Sequence, residues 1–131
     1  MQVDPNYDDV VSEVAAFLEG RLRAAVAAGI DEERICLDPG IGFGKTVAHN
    51  LALVRGLAAF HGLGCAILFG ASRKRFIGTI GDAPLARERA PGSIAVALEA
   101  LRQGAQVLRV HDVQETRQAA ALWSALNRDA T

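Results

Sequence analysis

Three short runs in this sequence collect polar and cationic side chains able to hold an anion or a flat heterocycle. They are Asp38-Pro39-Gly40-Ile41-Gly42-Phe43-Gly44-Lys45-Thr46, Gly70-Ala71-Ser72-Arg73-Lys74 and Arg109-Val110-His111-Asp112. Asp38 closes an apolar run. A carboxylate there can accept paired hydrogen bonds from an amidine-like edge, such as the 2-amino group and ring N–H of a pterin or guanine, or it can cap the next turn. The alternating glycines permit tight backbone geometry, and Phe43 can pack over a planar ligand. Ser72, Arg73 and Lys74 suit a carboxylate, phosphate or ring carbonyl, although a solvated basic turn has the same composition. Arg109 and His111, two apart on a strand, share a face and form a plausible diphosphate clamp; a histidine satisfied within the core is the alternative.

The basic residues carry a further signal. Of fourteen, only Lys45 and Lys74 are lysine, and both fall in glycine-containing turns, where a compact, orientable ammonium group is useful. Gly40 to Thr46 nearly spells a phosphate-binding P-loop, but Pro39 stands where the motif needs glycine. Proline has a fixed φ and no N–H, which disfavours nucleotide triphosphate hydrolysis.

The elements that position these runs follow from periodicity. Val10, Val14, Phe17, Leu18 and Leu22 form one stripe of a helix from about Tyr7 to Ala28, closed by Gly29. Arg34 to Gly40 reads as a buried strand stopped by Pro-Gly, and Val47 to Phe60 as a second helix. Cys65 to Gly70 is the second strand, and Ala71 to Ala90 an irregular connection long enough to point to function. Pro91 opens a third helix through Ile94, Ala97, Leu98 and Leu101. Gln106 to Val110 is the third strand, and Asp112 can cap a last helix over about Val113–Leu126, with Ala119, Leu122 and Leu126 inside. A helix separates each pair of strands, so the fold class is α/β with parallel strands, and ligands belong at the strands' carboxyl ends.

Composition bounds the rest. The chain has 131 residues, a formal net charge of −1, 50% hydrophobic and 22% charged residues, which disfavours a disordered polyelectrolyte, a basic nucleic-acid binder and a polybasic membrane-surface protein. No apolar run is long enough to span a bilayer, and the start lacks the pattern of a secretory signal, so the cytoplasm is the expected location. Cys36 and Cys65 lie in apolar runs and read as buried thiols. Three parallel strands cannot close a barrel, and an open sheet this narrow exposes two edges, so the sequence reads as part of a larger alternating fold and is expected to self-associate as a homodimer, to exchange strands with another copy, or to require a missing half.

The three runs, with His49-Asn50, Ile77-Gly78 and Gly92-Ser93, and with Met1-Gln2 and Tyr7 to Val11 at the start, resemble the carboxyl-terminal half of the dihydropteroate synthase family along essentially the whole chain. The resemblance implies the last three strands and last four helices of a TIM (β/α)₈ barrel, with residues 1–131 as a partial pterin-binding domain. It implies a folate-synthesis transferase: the amine of p-aminobenzoate displaces diphosphate from 6-hydroxymethyl-7,8-dihydropterin diphosphate to give 7,8-dihydropteroate. On this reading Asp38 and Lys74 hold the pterin edge, and Phe43 and Gly70 line its pocket. Arg109 flanks the pterin and binds diphosphate with His111, so that Lys74, Arg109 and His111 are the catalytic set. Ser72 and the Arg73 turn meet p-aminobenzoate, the subsite that sulfonamides mimic. Magnesium is the implied cofactor, its ligand expected on a first strand that this chain lacks, and the chain alone is expected to have little activity. The alternatives are a noncatalytic pterin- or phosphate-binding α/β module and an inactive truncated fragment.

Overall fold

Asp9 starts the first helix by satisfying its free N–H groups: Oδ1 accepts from the Ser12 N–H at 3.3 Å, while the Asp9 N–H donates to Glu13 Oε2 at 3.0 Å. This helix, α1 (Val10–Ala27), buries Val10, Val14, Leu18 and Leu22 at four-residue spacing. Phe17, expected on the same stripe, is 65% exposed because it lies on a flank of α1 that no other element among the described residues covers. The computed structural model describes residues 8–128; Met1-Gln2 and Tyr7, used in the sequence reading, lie outside them.

The strands are β1 (Cys36–Leu37), β2 (Ala66–Phe69) and β3 (Val107–Leu108), all parallel, in the order β1-β2-β3. Cys36 pairs with Ala66 and Phe69 with Leu108. Leu37, Ile67 and Phe69 face the helices and join a core with Leu53, Leu57 and Phe60. The alternate positions point to the other face, which among the described residues no helix covers. That alternation explains a departure from the sequence reading: Cys65 is buried, but the Cys36 thiol is exposed.

Between the strands lie α2 (Val47–Arg55), α3 (Arg75–Ile80) and α4 (Ala90–Arg102), and α5 (Val113–Leu126) follows β3. The expected helix over Val47 to Phe60 divides at Gly56 and continues as a 3₁₀ segment, Leu57–Leu63. The connection read as irregular contains α3 and a short 3₁₀ turn, Ala86–Glu88. In α4 the small residues Ser93, Ala97 and Ala100 are the most buried. In α5 only Thr116 is fully buried, and Leu126 is 80% exposed, contrary to the inward placement expected for Leu122 and Leu126. The helix packs against α4 alone among the major contacts, and that contact selects the Thr116 side.

At the amino ends of the strands, buried Gln103 ties α2 to α4. It accepts from the Ala58 N–H at 2.9 Å and donates to the Val54 carbonyl at 2.6 Å. No helix among the described residues is long and apolar enough to cross a membrane.

Candidate active site at the carboxyl ends of the strands

After β1 the chain turns back through a glycine-rich loop held by side chains of the loop itself and of α2. Asp38 Oδ1 accepts from the Gly40 N–H at 2.8 Å, and buried Asn50 takes the Gly42 N–H at 2.7 Å. Lys45 Nζ donates to the carbonyls of Gly40 at 2.9 Å and Phe43 at 2.8 Å. Burial lowers the Lys45 pKa, an effect opposed by the nearby Asp38 charge. Thr46 and His49 close the loop into α2 by a reciprocal cap. The N–H groups of Gly40, Phe43 and Gly42 are taken by the Asp38 carboxylate, the Gly40 carbonyl and Asn50 of α2, so these three donors are committed to holding the loop and not to a phosphate. Lys45 therefore braces the loop.

Gly42, at φ +86°, also makes room for the second run: a Cβ there would sit 3.0 Å from Lys74 Cδ. The Lys74 stem passes this point and carries Nζ to 4.1 Å from the centroid of the Phe43 ring, a cation–π contact between two of the predicted site residues.

The turn after β2 places Arg73 at φ 59°, a left-handed conformation uncommon for a residue with a side chain. Its backbone is clamped on both sides. The Arg73 N–H donates to Ser93 Oγ at 2.8 Å, and its carbonyl accepts from Arg89 Nη1 at 2.9 Å. The Arg73 guanidinium turns to Asp112, with Nη2 2.9 Å from Oδ1 and Nε 3.3 Å from Oδ2. The hydrogen bond from Arg73 lowers the Asp112 pKa, and the same bond raises that of Arg73. Asp112 precedes α5 as expected but makes no side-chain cap; its carboxylate is committed to Arg73 instead.

After β3, Arg109 Nη1 approaches Asp38 Oδ2 at 3.2 Å. Ser72 Oγ accepts from the His111 N–H at 3.1 Å and lies 2.9 Å from His111 Nδ1. Gly70, Ser72, Lys74, Arg109 and His111, with Val110, line one cavity of about 160 Å³. Asp38, Phe43 and Lys45 line a neighbouring cavity of about 380 Å³ with Phe17 of α1. The Asp38–Arg109 and Lys74–Phe43 contacts join the two. Arg73 is the predicted site residue whose side chain faces away from both. The structure adds supporting residues that the sequence reading gave no role: Asn50, Arg89 and Ser93. Asn50 and Ser93 stood within the quoted motifs, but their partners lie 8 and 20 residues away in the sequence.

Comparison with known proteins agrees with this arrangement. Residues 1–111 match the family described as pterin binding enzyme. The chain is 47% identical over 129 residues to dihydropteroate synthase of Neisseria meningitidis serogroup B, covering 96% of this chain and 45% of that protein. It superposes with a TM-score of 0.96 on dihydropteroate synthase of Stenotrophomonas maltophilia, solved with imidazole in its active site, at 44% identity over 100% of this chain and 49% of that one. The Xanthomonas albilineans enzyme in complex with 7,8-dihydropteroate gives a TM-score of 0.94 at 46% identity, over 95% of this chain and 48% of that one. The chain thus spans about half the length of the curated relatives it matches and aligns with their carboxyl-terminal part. Its three parallel strands and helices correspond to that part of a TIM (β/α)₈ barrel. By the match across most of its length and a strand-end site built on the same frame, this chain belongs to the pterin-binding enzyme family.

Proposed function

We propose that this chain supplies the carboxyl-terminal part of a dihydropteroate synthase, acting in the cytoplasm. The substrates are 6-hydroxymethyl-7,8-dihydropterin diphosphate and p-aminobenzoate. The observation that carries the reading is the convergence of Lys74, Arg109 and His111 on one cavity, with Asp38 and Phe43 beside it. The likeness to an enzyme solved with 7,8-dihydropteroate supports the substrate class.

In this reaction the amine nitrogen forms a bond to the methylene carbon of the pterin as the carbon–oxygen bond to diphosphate breaks, and the amine gives up a proton. Positive charge grows on the pterin while negative charge grows on the leaving group. Asp38 stabilises the first by accepting N–H groups of the pterin edge, while Arg109 and His111 stabilise the second. Asp38 Oδ2 lies 3.2 Å from Arg109 Nη1, which places the carboxylate for the pterin edge next to the guanidinium for the diphosphate. Lys74 lies over Phe43 at the edge of the pterin pocket, and Gly70 lines the adjoining cavity. Ser72 and the Arg73 turn meet p-aminobenzoate, and sulfonamides would compete there.

Among the described residues no group of three or more His, Cys, Asp or Glu side chains could hold a metal ion. Magnesium is typically held by one or two protein oxygens together with substrate phosphates, so it stays in the proposal as a partner of the diphosphate, and no step above depends on it. Among the described residues no strand covers either sheet edge, and a largely apolar groove of about 340 Å³ lies beside β3, lined by Leu108, Val110, Val113 and Ala120 with Arg109, Thr116 and Arg117. We therefore also propose that the chain self-associates; a compact monomer in sedimentation would refute this.

The test is titration with inorganic diphosphate and a pterin analogue, followed by an assay with both substrates and magnesium. Binding of both ligands with little or no turnover is expected of the chain alone. Failure to bind either ligand overturns the assignment of the cavity, and turnover like that of a complete enzyme overturns the expectation that this chain does not suffice.

A further inference from the structure

We infer that Arg73 and Asp112 form a positioning pair that fixes Ser72 against His111 and so sets the width of the diphosphate-binding cavity. The inference rests on the reading of that cavity given above but concerns two residues whose side chains do not line it. The ends of β2 and β3 are strapped together twice. Ser72 holds the His111 backbone at 3.1 Å and lies 2.9 Å from its ring. One residue further along each strand, Arg73 grips Asp112 through both Nη2 and Nε. A guanidinium fork on a carboxylate fixes direction as well as distance, which one lysine ammonium cannot do.

The geometry around Arg73 is that of a part held in place. Its left-handed backbone is a conformation that persists only where the surroundings impose it. Ser93 and Arg89 impose it from the helical side, and Asp112 does so from β3. Arg89 itself is anchored by the carbonyls of Ala83 at 2.8 Å and Pro84 at 2.7 Å. The chain through Arg89, Arg73 and Asp112 thus transmits the placement of the connection before α4 to the end of β3. Asp112 and Arg73 are positioning residues, not catalytic ones.

The sign of one measurement separates this role from plain electrostatics. Removing a carboxylate next to an anion site should tighten anion binding if charge alone matters. Separating a positioning pair should weaken it. For Asp112→Asn in the 131-residue chain, titrated with inorganic diphosphate, we expect affinity to fall about three- to tenfold, in the lower part of the range for uncoupling two interacting side chains. Unchanged or tighter binding overturns the inference. Arg73→Lys keeps the charge and loses the fork, so it should displace the His111 ring resonances in NMR while leaving those of His49 and His61 in place. Unmoved His111 resonances overturn the inference as well. If the unaltered chain fails to bind diphosphate, the cavity assignment falls, and the Arg73→Lys resonances alone decide the pair. If Asp112→Asn does not fold, the same Arg73→Lys arm decides it.

Discussion

Arg109 lies across the carboxyl end of β2 and reaches Asp38 at the end of β1, Nη1 to Oδ2 at 3.2 Å, over a residue with no side chain. The two are 71 positions apart in the sequence, and Gly70 is what lets them meet. The contact is partly solvated, with Arg109 55% and Asp38 33% exposed at the side chain, so it adds little to stability and can be exchanged for a ligand.

Gly70→Ala tests that arrangement. A Cβ would fall 2.4 Å from Arg109 Nη2, the free end of a flexible side chain, so the guanidinium moves and the backbone does not need to. The melting temperature should change by less than about 4 °C, while affinity for inorganic diphosphate falls about tenfold, equivalent to about 1.4 kcal/mol. Retained affinity would show that Arg109 does not need its place above β2.

Asn50→Ala removes the buried acceptor of the Gly42 N–H. The donor left behind should cost about 1–3 kcal/mol in urea denaturation, with the glycine-rich loop exchanging its amide hydrogens faster. A loss below about 0.5 kcal/mol would mean that water or another group replaces the bond.

The Asp112 pair also predicts an acid limb of stability. The Asp112 carboxyl lies below its ordinary value of 3.8, first because Arg73 hydrogen-bonds its ionised form. In the window below that value the unfolded chain binds more protons than the folded one, so stability falls as pH drops through the folded pKa and is fully present above the unfolded value. Asp9, lowered by its bond to Ser12, acts in the same direction. Urea denaturation from about pH 6 to about pH 3 should show a shallower loss for Asp112→Asn, which has no proton to take up there. Equal slopes would show that the pair carries no linkage.

Some features were legible in local sequence for physical reasons. The spacing of Val10, Val14, Leu18 and Leu22 permits only one buried face on a helix, and Pro39 with its neighbouring glycines ends a strand whatever surrounds it. The separation of Arg109 and His111 by one residue put both on one face of a strand, and both line one cavity. Other features were not legible. Periodicity says which residues share a face but not what covers it, so Cys36 and Leu126 read as inward although nothing among the described residues lies over them. Asp112 has the type and position of a helix cap, yet an arginine 39 residues earlier claims its carboxylate. Lys45, within a run that looked made for anions, spends its protons on two nearby carbonyls.

The sequence by itself determined the order of the strands and of the four longer helices, the parallel sheet and the three strand ends where chemistry would gather, because each depends on residues within a few positions of one another. Only the tertiary structure decided which of those polar groups face a ligand and which hold one another, since a charged side chain's partner is the nearest opposite group in space. In this fold that group can lie on another strand, 39 or 71 residues along the chain.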